Sequence, residues 1–464
     1  MTMMRTSTLA NATASMMALP EKSAPTTMFG TDGIRGPVAI PPFVIEDLIR
    51  LGNALGQWAR QKYDHNATIV LGHDTRISCA LVKSALQTGL MVQGATVHDV
   101  QVLPTPVIYY LTQHTELFDC GIIISASHNP YHDNGIKLVD SKRGKLSFDD
   151  ELLISALFHE QPHAPADYTN LGAHIAWHAA ETAYVHMITH KFPAQFLAGR
   201  TIVLDCANGA TFQLAPRIFS LLGAQVIALH NTPNGTNIND NCGAVHTEQL
   251  AAAVVAHNAN AGFAFDGDGD RVIAVNRYGQ IKDGDDILAL LLHHPLYCDV
   301  PAIVGTLMTN RGFEVMLERA GKRLIRANVG DKYVAQQLEQ NNLLLGGEQS
   351  GHIIMRDFLE TGDGIATALT ILETILTTDN WDMHSFDHYP QVLINIPVTT
   401  KKPLTEPPLA DIINRGNARL LSGRIVVRYS GTENLLRIMV EDETLDSAQA
   451  IANDLAHALG KELG

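Results

Sequence analysis

No apolar run in the chain approaches the roughly 20 residues that a bilayer-spanning helix needs, so no membrane partner is expected. Cysteine is sparse. There are five, at Cys79, Cys120, Cys206, Cys242 and Cys298. They are odd in number, scattered and never spaced C-x-x-C, which argues against a disulfide framework and a zinc ribbon; they read as reduced, mostly buried thiols of a cytoplasmic protein. Positive charge is also short, with 33 Lys and Arg against 48 Asp and Glu and a net charge of −15. A general nucleic-acid binder needs a basic face to neutralise phosphates, so none is expected. A small anionic substrate stays open, because a few arginines and backbone N–H groups can hold a phosphate inside an acidic protein. Nor is there a P-loop, a G-x-G-x-x-G after a strand, or an H-E-x-x-H.

What is present is apolar material for several cores. The 464 residues are 46% hydrophobic and 17% charged, enough for three or four domains and too apolar for wholesale disorder. Residues 1–27, rich in Met, Ala, Ser and Thr without a continuous apolar stretch, read as a disordered extension rather than a secretory signal.

From there the chain alternates short apolar runs with helix-like stretches, the pattern of α/β layering. Three kinds of strand and loop recur in one order. The first is TIVLGHDTR (68–76), TIVLDCANG (201–209) and AIVGTLMTN (302–310). The second is GATVHDVQVLPTP (94–106), GAQVIALHNTPNG (223–235) and GKRLIRANVGDKY (321–333). The third is CGIIISASHNP (120–130), AGFAFDGDGD (261–270) and LLLGGEQSGH (343–352). The expected architecture is three similar α/β domains, over 28–172, 173–277 and 278–386, that offer their loops to a shared central cleft. A smaller α+β domain is expected over 387–464, with strands at 389–398 and on either side of the S-G-T turn in 424–441, and a helix over 445–459.

Four loops carry chemistry. In DGDGD (266–270), Asp266, Asp268 and Asp270 alternate with glycines that let the backbone bend until the carboxylates converge. Such close like charges call for a divalent cation, and an all-oxygen set suits Mg²⁺. An EF-hand is excluded because Arg271 and Arg277 stand where that loop needs Gly and Glu. In SASHNP (125–130), an apolar strand delivers Ser127, a candidate nucleophile or phosphoryl carrier, with Lys137 a nearby charge; Ser125 is expected to matter much less. In GGEQSGH (346–352), Glu348 and Ser350 can read sugar hydroxyls. In RYSGTENLLR (428–437), Ser430, Gly431 and Thr432 between Arg428 and Arg437 make a phosphate cradle.

Together with FGTDGIRG (29–36), NGTNINDNCGAVH (234–246) and VGDKYV (329–334), these loops resemble in order the α-D-phosphohexomutase superfamily, most closely its phosphoglucosamine mutase branch. The resemblance runs from residue 28 onward. It implies a phosphoserine at Ser127 and one Mg²⁺ per subunit held by Asp266, Asp268 and Asp270, with a phosphoserine oxygen completing the site. It places Arg35, His128, Lys137 and Arg271 at the reacting centre, Glu348 and Ser350 on the sugar, and Arg428, Ser430, Gly431, Thr432 and Arg437 at the phosphate that does not react. It implies a hexosamine phosphate substrate and a hexose bisphosphate as intermediate and activator, and leaves room for a homodimer. Gln349, in GEQSGH, favours glucosamine over the glucose and mannose phosphates of sister enzymes. A sugar-phosphate sensor without catalysis is the rival outside enzymes, and the complete set of Ser127 and three aspartates speaks against it. The sequence departs from the family pattern at Ala183, Lys332, Tyr429 and Asn434.

Overall fold

The computed structural model describes residues 27–160, 168–430 and 434–464. The extension expected over 1–27 therefore lies almost wholly outside the described residues, as do Gly431 and Thr432.

Four strands build each repeat. In the first they are β1 (Thr68–His73), β2 (Thr96–Val102), β3 (Cys120–Ile124) and β4 (Asp133–Asp140). The second has β5 (Thr201–Asp205), β6 (Gln225–Leu229), β7 (Ala261–Phe265) and β8 (Val272–Asn276). The third has β9 (Ala302–Thr306), β10 (Arg323–Ala327), β11 (Leu345–Gly347) and β12 (Ile353–Met355). Across the sheets the order is β4-β3-β1-β2, then β8-β7-β5-β6, then β12-β11-β9-β10. In every case the first three strands run parallel and the fourth returns antiparallel beside the third. The threefold pattern in the sequence is thus a threefold repeat of one sheet topology. Its inner strands, such as Cys-Gly-Ile-Ile-Ile in β3, are apolar throughout because helices cover both faces. The outer strands β6 and β10 are only half-buried.

The turn from third to fourth strand falls at the same corner of each sheet. It carries Ser127 in the first repeat, Asp266, Asp268 and Asp270 in the second, and Glu348 and Ser350 in the third. One topology, used three times, delivers three loops of different chemistry.

A hydrophobic cluster runs without a break through the three repeats, whereas the C-terminal strands β13 (Gln391–Pro397), β14 (Arg424–Tyr429) and β15 (Leu435–Glu441) pack a separate core against the helix Leu445–Leu463. Arg424 ties this sheet to the third repeat, donating to the carbonyls of Leu307 at 2.5 Å and Thr309 at 2.7 Å. Among the described residues no helix is long and apolar enough to cross a membrane. Four cysteines are buried and Cys298 is exposed, all as free thiols.

Candidate active site

Ser127 sits just beyond β3 with a left-handed backbone, φ +54°, a conformation that costs a residue with a side chain about 1 kcal/mol or more and persists only when neighbours enforce it. The enforcement is visible. The Ser127 amide donates to Ser125 Oγ at 2.9 Å, and Ser125 Oγ donates to Asp74 Oδ2 at 2.6 Å. The Ser127 carbonyl accepts from Arg76 Nη2 and from Asn239 Nδ2, both at 2.9 Å. Arg76 is itself pinned by Asp74 at 2.8 Å, with both side chains wholly buried. Ser125 is thus a strut of the loop.

The result aims the Ser127 hydroxyl at the second repeat, where it donates to Asp266 Oδ2 at 2.6 Å. His128 Nδ1 lies 3.4 Å from the same hydroxyl. Burial, with Arg271 and Arg35 adding to it, pushes His128 down to about 4.

The carboxylates of Asp266, Asp268 and Asp270 are buried and bring oxygens within 4.8 Å of one another. They converge through a tight turn rather than along one face of an extended segment. Gly269 takes φ +73°, and a Cβ on Gly267 would stand 2.5 Å from the Ser127 carbonyl oxygen. Burial and the neighbouring charges of Asp270 and Asp268 push Asp266 well above the usual carboxylate range. Asp268 Oδ1 and Asp270 Oδ1 are buried without any hydrogen-bond donor. Orphaned anionic oxygens and mutual repulsion are what a bound cation relieves, so these residues fit a metal ion.

The other oxygens of the group are spoken for. Lys137 on β4 reaches Asp268 at 2.8 Å, Asp270 at 3.0 Å and Asp32 at 2.8 Å. Burial opposes its charge, but these three carboxylates outweigh burial and hold the ammonium well above its ordinary value. Thr105 donates to Asp268 at 2.6 Å.

Above this floor opens a cleft of about 480 Å³ lined by Arg35, His128, Asp270, Arg271, Glu348 and Ser350, together with Asp32, Asp331 and His352. Glu348 accepts from the Gly330 amide at 2.8 Å. Gly351 (φ +88°) lets this turn dock on the second repeat, since a Cβ there would meet the Val272 carbonyl oxygen at 2.2 Å. Gln349 is not part of the lining; its amide turns away and donates to Asp283 at 3.1 Å. Arg428 and Arg437 line a separate hollow of about 160 Å³ with Met308 and Asn395. Ser430, the described member of the phosphate loop, accepts from Arg437 at 3.4 Å. The structure therefore brings the loops that carry His128, Asp270, Glu348 and Ser350 to one cleft, and sets Arg428 and Arg437 in a separate hollow.

Four residues at this site escape a reading by motif: Asp32, which joins Arg35, Lys137 and Lys145; His352, 3.7 Å from Asp270; and Arg76 and Asn239 behind Ser127. Asp32 in FGTDGIRG, His352 in GGEQSGH and Asn239 in NGTNINDNCGAVH each lie in a segment of the resemblance that gave them no role of their own. The departures lie elsewhere. Lys332 pairs with Glu151 at 2.7 Å, Tyr429 Oη donates to the Lys402 carbonyl at 2.7 Å, Ala183 packs against the core, and the Asn434 carbonyl accepts from Val398.

Comparison with known families matches four models in chain order, described as phosphoglucomutase/phosphomannomutase alpha/beta/alpha domain I (residues 26–164), domain II (182–279), domain III (283–387) and the C-terminal domain (393–458). The chain belongs to the phosphoglucomutase/phosphomannomutase family. Among family members, a phosphoglucosamine mutase of Acinetobacter baumannii is 43% identical over 445 residues, 93% of this chain and 98% of the relative. One from a Psychrobacter species is 40% identical over 442 residues, 92% and 98% of the two chains. Among solved structures, a phosphoglucomutase/phosphomannomutase family protein of Burkholderia thailandensis shares the fold with a TM-score of 0.76 at 22% identity, covering 93% of this chain and 97% of that one. An N-acetylphosphoglucosamine mutase of Aspergillus fumigatus does so with a TM-score of 0.66 at 16% identity, covering 96% and 97%.

Proposed function

We propose that this protein is a phosphoglucosamine mutase that interconverts glucosamine 6-phosphate and glucosamine 1-phosphate through phosphorylated Ser127 and a bound bisphosphate. The sugar rests on the likeness over nearly the full chain to phosphoglucosamine mutases. The chemistry rests on one contact, the Ser127 hydroxyl held 2.6 Å from Asp266 at the edge of the carboxylate group.

Asp266, Asp268 and Asp270, with an oxygen on Ser127, would hold Mg²⁺. When bound, that ion supplies positive charge to the phosphoryl oxygens, most of what such transfer requires. In the first transfer the bond from phosphorus to Ser127 Oγ breaks and one to sugar O1 forms. O1 loses its proton and Ser127 Oγ gains one, so no net proton is taken up. His128, neutral and beside Oγ, is placed to move that proton, and Lys137, charged and beside Asp268, balances charge on the transferring group. The bisphosphate then turns end for end. Ser127 takes the phosphoryl group from O6, a proton returns to O6, and the 1-phosphate remains. Arg35 and Arg271 line the cleft on the side of the reacting phosphate. Glu348 and Ser350 read the sugar in both orientations. Arg428, Ser430 and Arg437 grip the distal phosphate once the C-terminal domain closes, which also keeps water from phosphoserine.

The test pairs intact mass with turnover. Purified protein should carry one phosphate that disappears on mixing with glucosamine 6-phosphate in excess, and with a bisphosphate activator present it should form glucosamine 1-phosphate. A protein without phosphate that forms no 1-phosphate from any hexose phosphate overturns the reading.

A further inference from the structure

A second group of metal-type ligands lies behind the active site, in the second repeat. Asp205 ends β5, His230 follows β6, and Cys242 lies in the loop beyond; one donor atom from each falls within 4.8 Å of the others.

The hydrogen bonds around them determine which atoms stay available. Gln249 Nε2 donates to the Asn241 carbonyl at 3.1 Å, so Gln249 turns its Oε1 toward His230 Nε2, 3.2 Å away. An amide oxygen only accepts, so His230 carries its proton on Nε2. His230 Nδ1 then faces Asp205 Oδ1 at 3.0 Å, yet it is buried and makes no hydrogen bond of acceptable geometry. A bare imidazole lone pair against a carboxylate oxygen is repulsive, and either a second proton on the ring or a metal ion at Nδ1 relieves it. Cys242 is wholly buried and has no hydrogen-bond partner among the described residues. Asp205 is held in place from the other side, Oδ1 accepting from the Ala207 amide at 2.9 Å and Oδ2 from the Gly243 amide at 3.0 Å.

We propose that Asp205, His230 and Cys242 form a second cation site for a borderline-soft divalent ion such as Zn²⁺. Carboxylate oxygen, imidazole nitrogen and thiolate sulfur together suit that ion, whereas Mg²⁺ takes oxygen ligands alone. This group and the three aspartates of the cleft therefore sort metals by softness. The site also clamps both ends of the segment 230–242. That segment carries Asn239, whose side chain donates to the carbonyls of Ser127 at 2.9 Å and Asn129 at 3.1 Å. An ion here fixes the support behind the Ser127 loop without touching the substrate cleft.

Co²⁺ is the probe, because a cobalt–thiolate bond gives a charge-transfer absorption that an all-oxygen site cannot. Full-length protein is stripped with chelator, supplied with excess Mg²⁺ and titrated with Co²⁺. The expected result is a thiolate band that saturates at one equivalent and is erased by added Zn²⁺. The band should vanish in Cys242→Ser and persist in Cys298→Ser and Asp268→Asn. His230→Gln, a second variant checked by circular dichroism, should weaken Co²⁺ binding by at least the roughly tenfold that losing even an outer partner costs. Absence of a thiolate band in the wild type, its survival in Cys242→Ser, or its loss in Cys298→Ser overturns the proposal.

Discussion

Ser127 and Asp266 stand 139 positions apart in the chain, yet the serine hydroxyl donates to the aspartate at 2.6 Å. Each residue occupies the turn between the third and fourth strands of its own sheet, so the contact joins equivalent corners of two repeats. The serine of one unit is thereby placed against the carboxylates of the next with no special loop to bridge them.

Replacing Ser127 with alanine should abolish phosphoryl transfer and leave the fold intact, because only the hydroxyl is lost. Ser125→Ala should behave differently. It leaves the Ser127 amide without its buried acceptor and takes one of two donors from Asp74 Oδ2, which costs about 1–3 kcal/mol and loosens the loop that holds Ser127 in its left-handed conformation. Thermal unfolding of the two variants separates the roles: Ser125→Ala should melt clearly lower than wild type and Ser127→Ala should not. Equal melting of Ser125→Ala and wild type would remove the strut.

Chelation should abolish turnover and Mg²⁺ should restore it. Asp268→Asn takes a negative charge from a group in which Asp268 Oδ1 is an orphaned buried oxygen, and it disturbs Lys137 and Thr105, which both bond Oδ2. The Mg²⁺ concentration for half-maximal activity should rise at least about 100-fold, since losing merely an outer partner costs 10- to 100-fold. Full activity after exhaustive chelation would rule out the metal role of the three aspartates.

How much of this site could be read from sequence depends on what held it together. Ser127, Asp266, Asp268, Asp270 and Glu348 were legible because each sits in a short loop whose spacing states its own chemistry. The threefold order was legible because one topology repeats. Arg76, Asn239 and Thr105 were not. Each has an ordinary neighbourhood, and its value comes from a partner 51, 112 or 163 positions away. Gln349 pointed to the phosphoglucosamine mutases, and the relatives agree. What the sequence did not show is where that side chain goes: the fold spends its amide on Asp283.

Stability should fall as pH rises through neutrality, for a local reason. Burial, and the charge of Asp283, push Asp285 up to about 7, and Asp285 Oδ1 has no donor. An unfolded chain ionises this carboxyl near pH 4, so the folded state binds the extra proton. Stability from that proton is complete below the unfolded value and is lost as pH climbs through the folded one. His388, raised by its bond to Asp286, has the same sign: its pairing stabilises at low pH and weakens as the imidazole deprotonates. Asp285→Asn removes the first contribution. The melting temperature of the variant minus that of wild type should therefore increase between about pH 5 and pH 8. A difference that stays flat over that range would place the titration elsewhere.

The last prediction concerns the two arginines of the C-terminal sheet. Arg428 and Arg437 are directly opposed in the antiparallel pairing of β14 with β15, and like charges so placed destabilise a sheet. Such a pair is tolerable in a protein that uses it to hold an anion, and both side chains line one hollow. Arg437→Ala should therefore affect binding and stability differently. It should raise KM for the sugar phosphate more than it lowers kcat, because the distal phosphate is held alike in ground and transition states. Losing one charge-assisted hydrogen bond should cost on the order of 1.5–3 kcal/mol of that binding. In the absence of ligand, however, the variant should melt close to wild type, since relief of the repulsion across the strands offsets loss of the bond to Ser430. Inorganic phosphate gives a direct check on the same pair. It should raise the melting temperature of wild type by binding between the arginines, and it should raise that of Arg437→Ala much less. An unchanged KM together with an undiminished phosphate shift would place Arg437 outside the substrate site.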